Sequence, residues 1–417
     1  LSTFIVGILP NCATIGVAAP VILIALRLLQ GLALGGEYGG AATYVAEHSP
    51  AERRGYYTSW IQTTATLGLL LSLGIILITR KSLAPNDADS IRVFEDWGWR
   101  IPFWFSVVLV GMSIYIRLKM HESPLFSKLK AEGKTSKNPI KESLMHKGNL
   151  KMVLLSLFGA TMGQGVVWYT GQFYAQTFLE TACKVDFEQT RTILIWAIIF
   201  ATPLFIFFGN LSDKIGRKWI IMAGLFLAVI SYRPIYTKML AVASTKDVVM
   251  DDSKTNIERL IRPDDAKGHS IQTTTTIHLY QNGITEKLVH NDTLYANGLE
   301  KPQTVDKLSK ELPDDGYWTM VALIFVQIVF VTMVYGPIAA FLVEIFPTKI
   351  RYTSMSLPYH LGNGVFGGMT PFIAVLLGTL YAGDVLVGLW YPIAIAVVCL
   401  VIGTIYLSNK IDPEVND

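Results

Sequence analysis

The feature that most constrains this chain is a series of apolar runs, each long enough for an α-helix to cross a lipid bilayer. Only 16% of the residues are charged, against about 25% in ordinary soluble domains. A spanning helix needs about 20 mostly apolar residues. We predict nine full spans, at 20–47, 56–79, 101–118, 151–179, 190–208, 217–236, 318–346, 351–380 and 387–407. The chain is therefore expected to be an all-α, multi-pass membrane protein.

The first residues form an apolar run that is too short to span. Residues 1–9 would make a helix of about 14 Å, half the thickness of a bilayer core. We interpret this run as the stump of a helix whose beginning is missing. On a plan of two groups of six helices, about 90 residues would precede it.

The distribution of Lys and Arg predicts which connections face the cytoplasm. The connections 49–55 and 347–351 contain basic residues, whereas 10–19 and 381–386 contain neither Lys nor Arg. Membrane proteins keep an excess of Lys and Arg on the cytoplasmic side. We expect 49–55, 117–151, 209–218 and 347–351 to lie inside, and 237–316 outside.

A long basic segment, 117–150, divides the spans into two groups and is the predicted cytoplasmic linker. Residues 1–116 would be the remainder of an N-terminal helix bundle. Residues 151–236 and 317–408 would form a C-terminal bundle, and 409–417 a cytoplasmic tail.

Residues 237–316 form a polar insertion in the second group. Thr273–Tyr280 alternates in polarity, and Asn282-Gly283 is a strong signal for a two-residue hairpin turn. We therefore predict one β-hairpin. The remainder is expected to be a tolerated loop with little fixed structure rather than a ligand-binding domain.

An internal repeat relates the two groups. Glu47 and Arg54 flank the end of the first full span, and Glu344 and Arg351 flank the end of the seventh at the same spacing. A proline lies three residues after each glutamate, and Tyr-Thr-Ser follows both copies. Two parallel halves related by an axis along the membrane normal produce such a repeat.

The connection 209–218 reads Gly-Asn-Leu-Ser-Asp-Lys-Ile-Gly-Arg-Lys and is predicted to be a tight charged turn between antiparallel helices. Asp213 is expected at a helix N-terminus, where the dipole favours an anion. The stretch resembles the signature of the major facilitator superfamily, which joins the second and third helices of each six-helix half. The resemblance implies the major facilitator fold and assigns gating roles to Gly209, Asp213, Gly216, Arg217 and Lys218, with Glu47, Arg54, Glu344 and Arg351 from the repeat.

The first full span carries unusual polar residues. Arg27, Gln30 and Glu37 lie among glycines and alanines, and Gln30 and Glu37 would share one helix face. Charges within a bilayer are costly and usually face a cavity or a partner. We predict that these three and Tyr38 belong to a substrate or proton pathway. The alternative is a polar pairing that only locks the helices together.

This stretch narrows the resemblance to the metabolite:proton symporters of the superfamily, which include transporters of proline and betaine, 2-oxoglutarate, citrate and shikimate. Trp97–Pro102 and Tyr335–Pro337 are similar to that group as well. The resemblance implies a proton-coupled transporter of the bacterial cytoplasmic (inner) membrane that needs no cofactor beyond the proton gradient. It does not name the substrate.

The second group offers further polar candidates. Gln164, Trp168 and Gln172 are spaced by four residues and would form one stripe, which suits a small polar ligand or a packed hydrogen-bond seam. Tyr335 precedes a Gly-Pro pair that should interrupt its helix. His360 and Asn363 share a face, where a structural histidine competes with a proton carrier.

These patterns favour a secondary transporter that couples a small polar metabolite, an organic acid or a zwitterion such as proline or betaine, to protons by alternating access. A uniporter of the same fold, or a nutrient sensor that uses the outer insertion, remains an alternative. The expected partners are the metabolite, protons and lipid, and the expected state is a monomer. Basic residues are not interleaved with aromatics on a soluble face, so no nucleic acid is expected.

An enzyme is not expected, because neither His-Glu-x-x-His nor Gly-x-Ser-x-Gly occurs in the sequence. The cysteines Cys12, Cys183 and Cys399 lack metal-ligand spacing. Cys12 and Cys183 would both lie near the outer face, which allows a disulfide, but free thiols are expected.

Overall fold

The computed structural model describes residues 2–35, 37–84, 87–119, 131, 138–246, 248–251, 255–264, 269–294, 303–381 and 383–408. Half of the predicted linker 117–150 and the whole predicted tail 409–417 lie outside the described residues.

The helices before residue 120, called here the N-terminal group, include one long helix of 29 residues and several shorter ones. Their bounds are α1 Ser2–Gly7, α2 Cys12–Ile15, α3 Ala18–Leu34, α4 Glu37–Glu47, α5 Arg54–Ser82, α6 Asp87–Val93, α7 Arg100–Trp104 and α8 Ser106–Lys119.

The helices after residue 137, called here the C-terminal group, surround the main buried core. Their bounds are α9 Pro139–Met145, α10 Lys147–Ser156, α11 Met162–Tyr169, α12 Ala175–Thr181, α13 Phe187–Ile215, α14 Arg217–Val242, α15 Asp314–Tyr335, α16 Ile338–Ile345, α17 Arg351–Leu361, α18 Met369–Leu380 and α19 Trp390–Tyr406. π-helical turns at Leu157–Thr161, Thr170–Tyr174 and Gly362–Gly367 join several of them into longer spans.

The described residues contain 8 helices that are long and apolar enough to cross a membrane, or 9 if one bent pair is a single span. The bent pair, Ser90–Gly98 with Arg100–Ile116, turns by 49° and corresponds to the span predicted at 101–118. A π-helical turn at Phe94–Gly98 precedes the bend, and such bulges are a common cause of sharp kinks. The predicted all-α membrane architecture is thus confirmed.

The first predicted full span corresponds to one candidate span, Ala18–Glu47, which contains α3 and α4. One helix boundary differs from the prediction. The predicted turn 209–218 is mostly helical, because α13 continues to Ile215 and α14 begins at Arg217. Gly216 alone separates them, with φ 96° and ψ 146°, a conformation that is essentially restricted to glycine.

The polar insertion contains a four-stranded antiparallel sheet in the order β1 to β4. The strands are β1 Asn256–Asp264, β2 His269–Leu279, β3 Thr285–Leu294 and β4 Gln303–Glu311. The predicted hairpin corresponds to β2 and β3, with Gly283 at φ 81° in its turn. Two further strands, β1 and β4, extend it, so the expectation of little fixed structure is wrong for the described part.

The two groups of helices contact each other chiefly through α5 and α13, which run antiparallel. Near one end their backbones almost touch: a methyl group on Gly55 would lie 2.5 Å from the carbonyl oxygen of Gly209. Arg54 lies at that end, which we call the basic end. The opposite end, where α13 begins beside the β-sheet, we call the sheet end.

Candidate functional site: a charged cluster at the basic end and a polar seam between the groups

Asp213 joins the two groups of helices at the basic end. It lies in the last turn of α13 rather than at the start of α14, which corrects the predicted position. Its two carboxylate oxygens accept hydrogen bonds from the backbone N–H groups of Gly55 and Tyr56, both at 2.8 Å. These amides belong to the first turn of α5, where the helix dipole favours an anion. Asp213 therefore lies at the N-terminus of α5, a helix of the N-terminal group, rather than at the N-terminus of α14.

Arg217 connects Asp213 to Glu344. One guanidinium nitrogen lies 2.6 Å from the Asp213 carboxylate, and two others lie 2.9 and 3.3 Å from the Glu344 carboxylate. The side chains are only 11%, 5% and 5% exposed for Arg217, Asp213 and Glu344. Buried charges are tolerated when each is paired in good geometry. This triad therefore depends on all of its members.

A second ion pair crosses between the groups. Arg351, at the start of α17, lies 2.9 Å from the carboxylate of Glu47, at the end of α4, and the two side chains are 1% and 2% exposed. The Arg351 Nε donates to the backbone oxygen of Phe346 at 3.1 Å. The two copies of the repeat thus meet at the basic end.

Arg54 is the least satisfied member of this cluster. It is buried, and among the described residues its Nε and Nη1 have no hydrogen-bond partner. Lys218 lies apart: its ammonium donates to the backbone oxygens of Thr404 and Leu407 at 2.8 and 2.7 Å. A cation is favourable at a helix C-terminus, so this contact fixes the end of α19 against α14.

Aromatic and amide side chains meet midway between the groups. Tyr38 of α4 stacks on Tyr359 of α17, with ring centroids 3.5 Å apart. The Tyr359 hydroxyl lies 2.6 Å from that of Tyr335, and Gln62 of α5 donates to the Tyr38 hydroxyl at 2.6 Å. Sequence reasoning missed Gln62, although an amide in a spanning helix is itself a signal of a polar contact.

Gln164 and Asn363 form a reciprocal amide pair inside the C-terminal group. Their side chains exchange two hydrogen bonds of 3.1 and 3.0 Å. Gly165 allows the approach, since a methyl group there would lie 2.5 Å from the carbonyl oxygen of Gly362. This geometry matches the packed-seam interpretation of Gln164.

The remaining polar candidates keep unused hydrogen-bonding atoms. Trp168 Nε1, both amide atoms of Gln172, Oε1 of Gln327 and Nε2 of His360 are buried and lack a partner within the described part of the chain. Trp168 stacks at 6.0 Å from Tyr335. The π-helical turn Thr170–Tyr174 takes Gln172 out of the regular spacing that the predicted stripe assumed. Gln327 was not predicted.

Arg27 and Gln30 contact each other within α3. The Arg27 guanidinium donates to Gln30 at 3.0 Å and lies 5.8 Å from the centre of the Phe103 ring. Arg27 and Glu37 are exposed.

Comparisons with known proteins agree with this architecture. A family model described as "Sugar (and other) transporter" matches residues 1–156. The Escherichia coli inner membrane metabolite transport protein YhjE is 29% identical over 385 residues, or 91% of this chain and 69% of that protein. The Salmonella typhimurium proline/betaine transporter is 30% identical over 235 residues, or 54% of this chain and 45% of that protein.

Solved structures show the fold. A crystal structure of a D-xylose–proton symporter aligns over 98% of this chain and 79% of its own length, with TM-score 0.56 and 16% identity. A mutant of the symporter XylE aligns over 100% of this chain and 80% of its own length, with TM-score 0.61 and 15% identity.

The spans, the charged cluster at the basic end and these alignments define a multi-pass membrane transporter, not an enzyme. The chain has the fold of the major facilitator superfamily symporters, and it is similar to transport proteins that include one of the Escherichia coli inner membrane.

Proposed function

We propose that this transporter couples uptake of a small polar metabolite to protons by alternating access between its two groups of helices. In this proposal residues 2–116 act as one body, and 151–236 with 317–408 as the other. The ion pairs at the basic end hold that end closed in the described conformation. The Glu47–Arg351 ion pair and the hydrogen bonds of Asp213 to the α5 backbone cross directly between the bodies.

The observation that carries the proposal is the set of unused polar atoms in the C-terminal group. Gln172 and Gln327 are 1% and 0% exposed, yet three of their four side-chain polar atoms have no partner among the described residues. A buried polar atom without a partner costs about 1–3 kcal/mol. A small polar ligand would satisfy these atoms, with the Trp168 indole N–H as a further donor. We therefore place the substrate beside Gln172, Gln327 and Trp168.

Proton coupling is assigned to the ionisable residues of the spans. Glu37 and Arg27 are charged groups at membrane depth, and His360 contributes an imidazole nitrogen without a partner in the described part of the chain. Intramembrane ionisable residues commonly mark ion pathways. Relatives named as proton symporters and as a proline/betaine transporter support both coupling and a small polar substrate.

The test is uptake by proteoliposomes offered a panel of labelled organic acids, zwitterions and sugars, with and without an imposed pH gradient. Accumulation of one substrate above its outside concentration, abolished by an uncoupler, is expected. Equilibration without accumulation would instead identify a uniporter. Binding without any translocation would favour the nutrient sensor.

Two variants separate the substrate site from general damage. Gln172→Leu should weaken substrate affinity by about ten-fold, the effect of losing one or two good hydrogen bonds. Gln281→Leu removes the same amide from the exposed hairpin turn and should leave affinity unchanged. Equal affinity in both variants would rule out the proposed site.

A further inference from the structure

The base of the β-sheet is attached firmly to the C-terminal group. The backbone of β4 pairs with the segment before α13: the Asp186 N–H donates to the Lys310 carbonyl at 2.8 Å, and the Lys310 N–H donates to the Lys184 carbonyl at 2.7 Å. The Gln189 side chain makes two hydrogen bonds with the Leu312 backbone: its Nε2 donates to the carbonyl oxygen at 2.9 Å, and its Oε1 accepts from the N–H at 2.8 Å. The sheet therefore cannot move at its base without moving the start of α13.

Lys310 strengthens this attachment with its side chain. The ammonium lies 3.2 Å from the carbonyl oxygen of Ala243, 3.0 Å from the Thr245 hydroxyl and 3.6 Å from the Glu286 carboxylate. The side chain is only 13% exposed. Ile284 and Leu312 are buried below it in the core of the C-terminal group. Hydrogen bonds and an ion pair of Lys310, together with the buried side chains of Ile284 and Leu312, therefore attach the base of the sheet to the C-terminal group.

The same turn of α13 also contacts the N-terminal group. Glu188 lies 3.2 Å from the Lys81 ammonium and 3.9 Å from the Arg80 guanidinium. The Phe187 ring lies between two guanidinium groups, 4.2 Å from that of Arg80 and 3.1 Å from that of Arg191. Arg80 and Lys81 end α5, so these contacts close the sheet end between the groups.

Four consecutive residues, Asp186–Gln189, therefore serve both contacts, and we call them the junction turn. Asp186 and Gln189 hold the sheet, whereas Phe187 and Glu188 hold α5. The Asp186 carboxylate also accepts a hydrogen bond of 2.8 Å from the Glu188 N–H, which stiffens the turn. The contact with the sheet base and the contact with α5 are thus joined within one helical turn.

We propose that the β-sheet controls the opening of the sheet end: when its base is docked, the junction turn is held where it engages Arg80 and Lys81. Loosening the base lets α5 and α13 separate at the sheet end while the basic end stays closed. A conformational change of the sheet would thereby bias the alternation between the two ends. This inference rests on the proposed alternating access, and its test needs no substrate.

The test compares cross-linking at the two ends in an otherwise cysteine-free protein. Ser82→Cys with Thr192→Cys reports on the sheet end, because both residues line one cleft of about 390 Å³ between α5 and α13. Thr43→Cys with Met355→Cys reports on the basic half of the interface, where these side chains lie 3.4 Å apart.

Gln189→Ala and Lys310→Met each loosen the base without touching α5. We expect either variant to slow cross-linking at 82/192 about ten-fold, the effect of losing one or two hydrogen bonds, and to leave cross-linking at 43/355 unchanged or faster. Glu188→Gln should also slow cross-linking at 82/192, because Glu188 contacts Arg80 and Lys81 directly. Lys287→Met removes the same charge from an exposed site on β3 and should change neither rate.

Parent-like cross-linking at 82/192 in both base variants would show that the sheet does not control this end. Slower cross-linking of both pairs together would also overturn the proposal, because it would mean general loss of the fold.

Discussion

A single carboxylate, Asp213, makes the most consequential contact at the scale of one residue. It satisfies two backbone amides of α5 and one guanidinium at once. Removing one partner of a buried pair typically costs about 3–5 kcal/mol, because the other charge is left unpaired. Loss of the Asp213 carboxylate would therefore weaken the contact between the two groups of helices more than the core of either group.

Asp213→Asn is therefore expected to open the basic end. The amide keeps one acceptor for α5 but loses the charge that holds Arg217 and complements the α5 dipole. Alkylation of a cysteine at Ser59, which packs against Gly209, should become at least about ten-fold faster. Asp384→Asn breaks an exposed pair with Arg233 and is the control, since such pairs contribute little. Equal rates in both variants would contradict the gating role.

The cysteines provide a second test at the residue scale. Cys12, Cys183 and Cys399 are all free, as expected, and only Cys12 is exposed. Burial raises the pKa of the Cys183 thiol to about 12, with Lys310 opposing the shift. A thiol with a raised pKa stays protonated and unreactive at neutral pH.

Alkylation at pH 8 should modify Cys12 and spare Cys183 until the protein is denatured. Cys12→Ser should abolish labelling of the native protein, and Cys183→Ser should not reduce it. Mass spectrometry of the labelled peptides gives the answer. Rapid labelling at Cys183 in the native protein would show that the base of the sheet is loosely packed.

At the scale of elements, hydropathy predicted the spans well because burial in lipid acts on whole stretches of about 20 residues. The break at Tyr335 was also predicted correctly, since Gly-Pro removes backbone hydrogen bonds. The sequence analysis did not predict that α13 continues through 209–215, because the charged residues there were interpreted as a loop. β1 and β4 were missed because strand preference depends on neighbouring strands.

The helix break at Gly216 yields a prediction at this scale. Its φ of 96° and ψ of 146° suit only glycine, so Gly216→Ala should strain the connection by about 1–3 kcal/mol. The expected result is a lower Tm in detergent and weaker closure of the basic end. Gly378→Ala is a matched control, because that glycine is helical and has open space around it. A Tm for Gly216→Ala equal to that of the control would show that α13 and α14 tolerate another connection.

At the scale of the whole molecule, the partners within the candidate site were the hardest to predict. The repeat brought Glu47, Arg54, Glu344 and Arg351 to attention, but it did not show that Arg351 pairs with Glu47 while Glu344 pairs with Arg217. Such pairing depends on how the two groups of helices pack against each other. An amide within an apolar span signals a polar contact, but the sequence around Gln62 and Gln327 did not show which side chains they would meet.

The last prediction concerns the orientation of the whole chain. The basic connections meet at one end, and the sheet lies at the other. The excess of Lys and Arg predicts that the basic end faces the cytoplasm and that the sheet lies outside. In a Cys12→Ser background, cysteines at Lys214 and Asn282 are both exposed positions in the described structure. A membrane-impermeant thiol reagent added to intact cells should label 282 and spare 214, and inverted membrane vesicles should reverse the pattern. Labelling of 214 alone in intact cells would show that the chain is inserted the other way, so that the closed, ion-paired end described here would be the outer gate.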